Sequence, residues 1–222
     1  MTHAAVAPLL ASMLSLVAAA ALPSSSITGS PDELTTVAER SGFTRTGRYD
    51  EVERLCAAYA ARWPVQVRCL EFGRTPENRP MLALVASGDG VLDPETARKR
   101  QRPVVYFQGG IHAGEIDGKD AGFVALRELL EERASPGALE RTTVLFVPVL
   151  NVDGHERFGA WNRPNQRGPE EMGWRTTSQN LNLNRDHAKA DAPEMRVLLG
   201  LLNAWDPILY ADLHVTNGAE LR

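Results

Sequence analysis

The spacing of apolar residues changes several times along the chain, and each change predicts an element. Over residues 49–63, Val52, Leu55, Cys56 and Tyr59 fall at helical spacing and Pro64 stops the run, which predicts a helix. Residues 65–72 alternate apolar with polar, residues 81–86 are a short apolar run, and the turn over 73–80 predicts a β-hairpin. Residues 88–102 read as loop by composition. Val104, Val105, Tyr106 and Phe107 then form a β-branched and aromatic run between Pro103 and the pair Gly109-Gly110, a buried strand. In residues 121–133, Phe123, Val124, Leu126, Leu129 and Leu130 line one helical face, closed by Ser135, Pro136 and Gly137. Residues 142–150 are another buried strand. Residues 193–204 read as a helix with Met195, Val197, Leu198, Leu201 and Leu202 on its apolar side, and residues 208–213 as a third core strand.

Strand, helix-length crossover and strand make a βαβ unit, whose two strands run parallel, so the expected class is α/β with helices on both faces of a central sheet. Between the second buried strand and the last helix the pattern disappears. Residues 151–190 show no sustained periodicity, a length that in a compact domain goes with disorder or with function. Trp161, Met172, Trp174 and Leu181 argue against disorder. Arg157, Arg163, Arg167, Arg175 and Arg185 in the same stretch suit guanidinium forks that hold a carboxylate or an oxyanion.

The 222 residues are 43% hydrophobic and 23% charged with net charge −4, an ordinary composition for a globular protein. The acidic balance gives no general pull toward nucleic acid or anionic membrane, and the arginines of 151–190 are interrupted by Glu170, Glu171 and Asp186. Residues 1–26 have an apolar stretch, small residues around Ala19 to Ala21 and a polar run beyond, the parts of a secretory signal peptide. Its n-region holds His3 but no Lys or Arg, so an uncleaved anchor and a misplaced start stay open beside it. Removal would leave a secreted or periplasmic protein with no membrane attachment. Residues 27–48 read as a linker or a loosely packed approach to a domain spanning 49–222. Cys56 and Cys69 are the only cysteines. Export would permit a disulfide between them, and two buried free thiols are the alternative.

Candidate chemistry sits where the first buried strand ends. His112 and Glu115 stand three residues apart, an offset that on one helical turn points both side chains the same way, and imidazole and carboxylate are common zinc ligands. His214 follows the last strand in Asp212-Leu213-His214, so it occupies a position like that of His112. In open α/β sheets the crevice beyond the carboxyl ends of the strands is the usual ligand site. Together the three make a His₂Glu set, which leaves a coordination position open for water.

At this point the sequence resembles a family. The phrases HAGE (His112 to Glu115), PVLNVDG (Pro148 to Gly154), MGWR (Met172 to Arg175), NLNRD (Asn182 to Asp186) and DLH (Asp212 to His214) occur in the order found in zinc-dependent metallocarboxypeptidases. The resemblance covers residues 49–222 and implies a mixed, largely parallel sheet that is incomplete at the C-terminus. It implies one Zn²⁺ per chain, held by His112, Glu115 and His214. Arg175 would polarise the scissile carbonyl and stabilise the oxyanion, and Asn184 and Arg185 would grip the free terminal carboxylate of a peptide or protein substrate. Asn182 departs from the family, which has an aspartate there. A second departure is the general base, a glutamate that the family places well beyond the third ligand; Glu220 is too close to His214 to be it. The chain is therefore expected to be a fragment, itself inactive, of a zinc metallocarboxypeptidase. Two other readings stand beside it: a zinc-dependent deacylase of N-acyl amino acids, and a zinc-binding module without catalysis.

Overall fold

The computed structural model describes residues 31–215. The signal-peptide stretch and Glu220 lie outside them. In chain order the elements are α1 (Val37–Arg40), α2 (Tyr49–Arg62), β1 (Val67–Arg74), β2 (Pro80–Ala86), α3 (Pro94–Lys99), β3 (Val104–Gly109), α4 (Asp117–Leu130), α5 (Ala138–Arg141), β4 (Thr143–Val147), α6 (Val152–Glu156), α7 (Pro193–Trp205) and β5 (Leu209–Leu213).

The strands form one sheet in the order β1-β2-β4-β3-β5. β3 runs parallel to both β4 and β5, as the βαβ pattern predicts, while β2 is antiparallel to both β1 and β4. Among the described residues the sheet is thus evenly mixed rather than largely parallel. The cause is the hairpin, which lays its apolar second strand, Met81 to Ala86 buried throughout, directly against β4.

Register shows which helix covers which face. Leu84 stands opposite both Cys69 and Phe146, so these three point the same way. Cys69 is disulfide-bonded to Cys56 of α2, with 5.2 Å between the Cα atoms, and Phe146 meets Phe123 of α4 edge-on at 5.5 Å. α2 and α4 therefore cover this face, and the open question about the two cysteines resolves as a disulfide. Met81, an odd number of residues from Leu84, points to the other face. Its partner Gly73 is where Val197 of α7 packs.

Three expectations change. Residues 31–48 are not a loose linker. Thr36 and Glu39 close a capping box on α1, Leu34, Ala38 and Thr46 are buried, and Thr46 donates to Asp120 of α4 at 2.7 Å. Beneath them Lys119, fully buried, binds Glu51 at 2.9 Å, Asp120 at 3.1 Å and the Gly47 carbonyl at 3.0 Å. Residues 88–102 are not all loop, because Asp93 caps α3 and Pro94 supplies its first turn. β5 is not a core strand but an edge among the described residues, with Ile208, Leu209 and Tyr210 exposed.

Candidate metal centre

β3 ends at Gly109, and Gly110 takes φ of 60°, a left-handed conformation that a residue with a Cβ would resist. The chain is pinned there by Leu150 N–H on the Gly109 carbonyl and Asn151 N–H on the Gly110 carbonyl, both at 3.0 Å. His112 and Glu115 follow on a turn closed by Glu115 N–H to the His112 carbonyl at 2.9 Å. α4 begins only at Asp117, so the two side chains converge through a turn rather than through the helix expected from their spacing.

His214 arrives from the neighbouring strand. β3 and β5 are parallel and Gly109 is opposite Leu213, so the chain leaves both strands at the same end of the sheet. His112 Nδ1 lies 3.1 Å from Glu115 Oε1, and His214 Nδ1 lies 2.9 Å from Glu115 Oε2. His112 and Glu115 are buried, while the His214 side chain is 33% exposed. Burial alone would raise the Glu115 carboxyl, but hydrogen bonds with His112 and His214 and the charge of Arg163 hold it down at about 2.

This arrangement fits zinc. One donor atom from each of the three residues lies within 4.8 Å of the others. Each imidazole also turns Nε2 to an oxygen, His112 to Asn182 Oδ1 at 3.3 Å and His214 to Asp212 Oδ2 at 2.9 Å. With a proton kept on Nε2 by these acceptors, each Nδ1 would be free to exchange its hydrogen bond with Glu115 for a bond to the metal, the tautomer that ligation requires. Asn182, where the family pattern has an aspartate, accepts from His112 as an amide, and the same oxygen accepts Asn184 N–H at 3.1 Å.

The other residues singled out above lie around this centre. Arg175 donates to Glu115 Oε1 at 3.5 Å and keeps 40% of its side chain exposed. Asn184 and Arg185 belong to the 3₁₀ turn Leu183–Arg185 that follows Asn182. Arg185 is exposed, and its guanidinium donates to the Asn184 carbonyl at 2.9 Å. Two further participants were not assigned to the site from the sequence. Arg163 is only 6% exposed and ion-pairs with Glu115 Oε1 at 2.8 Å. Asp212 holds His214; its place in the DLH phrase was the available signal.

Comparison with known proteins decides the family: the zinc carboxypeptidase profile matches residues 52–219. This chain belongs to the zinc carboxypeptidase family. Carboxypeptidase A4 of Mus musculus is 26% identical to this zinc carboxypeptidase chain over 59% of it and 32% of the mouse protein. Carboxypeptidase B of Helicoverpa zea is 27% identical over 62% of this chain and 34% of the insect protein. The chain therefore spans about a third of the length of these relatives. The crystal structure of carboxypeptidase A from Helicoverpa armigera has the same fold, with TM-score 0.60 at 21% identity over 77% of this chain and 46% of that one. A metallo-carboxypeptidase from Burkholderia cenocepacia gives TM-score 0.54 at 25% identity over 75% of this chain and 41% of that one.

Proposed function

We propose that this chain carries the metal-binding and carboxylate-binding part of a zinc metallocarboxypeptidase, a hydrolase that removes C-terminal residues from peptides and proteins. The observation that carries the reading is the role of Asn182, whose Oδ1 holds His112 and the backbone of Asn184 at once. A candidate metal ligand and the turn bearing Asn184 and Arg185 are thereby fastened together.

His112, Glu115 and His214 would hold one zinc per chain. When bound, the ion supplies Lewis acidity toward a carbonyl oxygen and makes water a better nucleophile at neutral pH. Arg175, half outside and beside Glu115, offers a fixed donor where charge develops on the carbonyl oxygen. Arg185 offers a planar guanidinium with no carboxylate partner among the described residues, and Asn184 an amide beside it, to a terminal carboxylate. The Cys56–Cys69 disulfide fits a secreted or periplasmic setting.

The test measures binding of a short peptide to the zinc-loaded protein by calorimetry, once with a free C-terminus and once amidated. Arg185→Ala should weaken the free peptide by roughly 1.5–3 kcal/mol, the worth of a hydrogen bond to a charged group, and leave the amide nearly unchanged. Equal loss on both peptides would remove the carboxylate-binding role. Absence of zinc uptake by the unaltered chain would remove the reading as a whole.

A further inference from the structure

Residues 151–190 are largely irregular and much of their surface faces solvent: Trp161 is 84% exposed, and Pro164, Asn165 and Arg167 are exposed as well. Arg163, between these exposed residues, is buried. Its side chain is 6% exposed and runs inward to Glu115, with Nη1 2.8 Å from Oε1. The lane it uses exists because residue 114 is glycine. A Cβ there would stand 2.8 Å from Arg163 Cγ, closer than packed carbon atoms come, and 3.2 Å from Cδ. Among the described residues Glu115 is its only carboxylate partner, and its Nε is buried without a hydrogen-bond partner.

A guanidinium buried for stability alone would be a poor choice, since burying a charge costs several kcal/mol unless it is fully paired. Arg175 meets the same oxygen from 3.5 Å but is 40% exposed, against 6% for Arg163. Arg175 faces outward. Arg163 is buried, packed against Gly114 in the turn that carries the carboxylate.

We propose that Arg163 is a positioning residue for the metal centre, a buried counter-charge that fixes the Glu115 carboxylate against the His112–Glu115 turn so that it meets the metal pre-oriented. This rests on the zinc reading above. Partners behind a metal ligand that hold it in place commonly govern affinity by 10–100-fold.

The experiment compares the unaltered chain with Arg163→Met and Arg163→Lys. Zinc affinity is read by competition with a chromophoric chelator, ligand geometry by the visible absorption spectrum of the cobalt(II) form, and folding by denaturant unfolding of the metal-free protein. Arg163→Met should weaken zinc by about 10–100-fold and change the cobalt spectrum. Arg163→Lys keeps the charge but not the planar fork, and should recover part of both. If Arg163→Met does not fold, Arg163→Lys decides alone: weaker zinc binding at an unchanged unfolding midpoint supports the role. Unaltered affinity and spectrum in the variant that folds would overturn it, even if the metal-free fold is less stable. Failure of the unaltered chain to bind zinc would instead strike the zinc reading itself, and this proposal with it.

Discussion

His155 of α6 is fully buried with both ring nitrogens against backbone carbonyls, Nε2 3.2 Å from Gly47 and Nδ1 3.5 Å from Ala113. Burial, with the nearby cations Lys119 and Arg48 adding to it, pulls its pKa down to about 3, against the two carbonyls that favour the charged ring. In the unfolded chain a histidine titrates near 6.5. Between those values the unfolded state binds a proton that the folded state refuses. Its contribution is therefore fully present above about pH 6.5 and is lost as pH falls toward 3, at up to about 1.4 kcal/mol per pH unit. Denaturant unfolding of metal-free protein at a series of pH values should show His155→Gln losing stability less steeply than the unaltered chain over that window. Parallel slopes would mean that His155 is not held neutral. Residue-scale chemistry of this kind was only partly legible in the sequence. His112, Glu115 and His214 could be named because their residue types and strand-end positions carry the information. Arg163 could be grouped with four other arginines suited to a carboxylate but not placed at Glu115, since its burial depends on a gap at Gly114 and on a carboxylate far away in the chain, and neither leaves a periodic trace.

At the scale of elements, the strands that deliver the two histidines are packed against the first turn of α4. A Cβ on Gly118 would lie 2.6 Å from Leu213 Cβ and 3.3 Å from Gly109 Cα, the facing ends of β5 and β3. Gly118→Ala should cost about 1–3 kcal/mol through overpacking and, by moving β5 away from β3, should also weaken zinc binding. Gly200 in α7 is the control. Nothing lies within 4 Å of its added Cβ, so Gly200→Ala should stabilise by about 0.5–1 kcal/mol through helix propensity alone. Zinc affinity unchanged in Gly118→Ala would show that the site does not depend on this contact. Elements were more legible than their order. The hairpin, the βαβ unit and α7 follow from local period, yet nothing in Met81 to Ala86 says that β2 will lie between β1 and β4, because a strand buried on both faces reads alike in any sheet. α1 was missed although Thr36-Val37-Ala38-Glu39 is a capping box in plain sight; its four residues are too few to show a period.

Across the whole molecule the two halves of the sheet differ in what secures them. β1 and β2 are antiparallel neighbours backed by α2, with the Cys56–Cys69 disulfide between helix and strand. β3 and β5 are parallel, β5 is a sheet edge among the described residues, and the ligands beyond them are joined in the metal-free protein through the Glu115 hydrogen bonds and an edge-on contact of the His112 and His214 rings at 5.1 Å. A bound zinc would replace those hydrogen bonds with coordinate bonds to both strand ends and to the turn between them. Because it binds the folded state, zinc at 100 times its dissociation constant should stabilise the protein by about 2.7 kcal/mol. Local openings of the strand ends should be suppressed more than that global gain requires, since those openings break the site while leaving the hairpin intact. Hydrogen exchange should accordingly slow most over residues 110–116 and 209–215 when zinc is added, with a smaller change over β1 and β2. His214→Ala should remove both effects. Uniform slowing across the sheet would show that the strand ends open only when the whole protein unfolds, and that β3 and β5 are as firmly held without metal as the disulfide-bridged half.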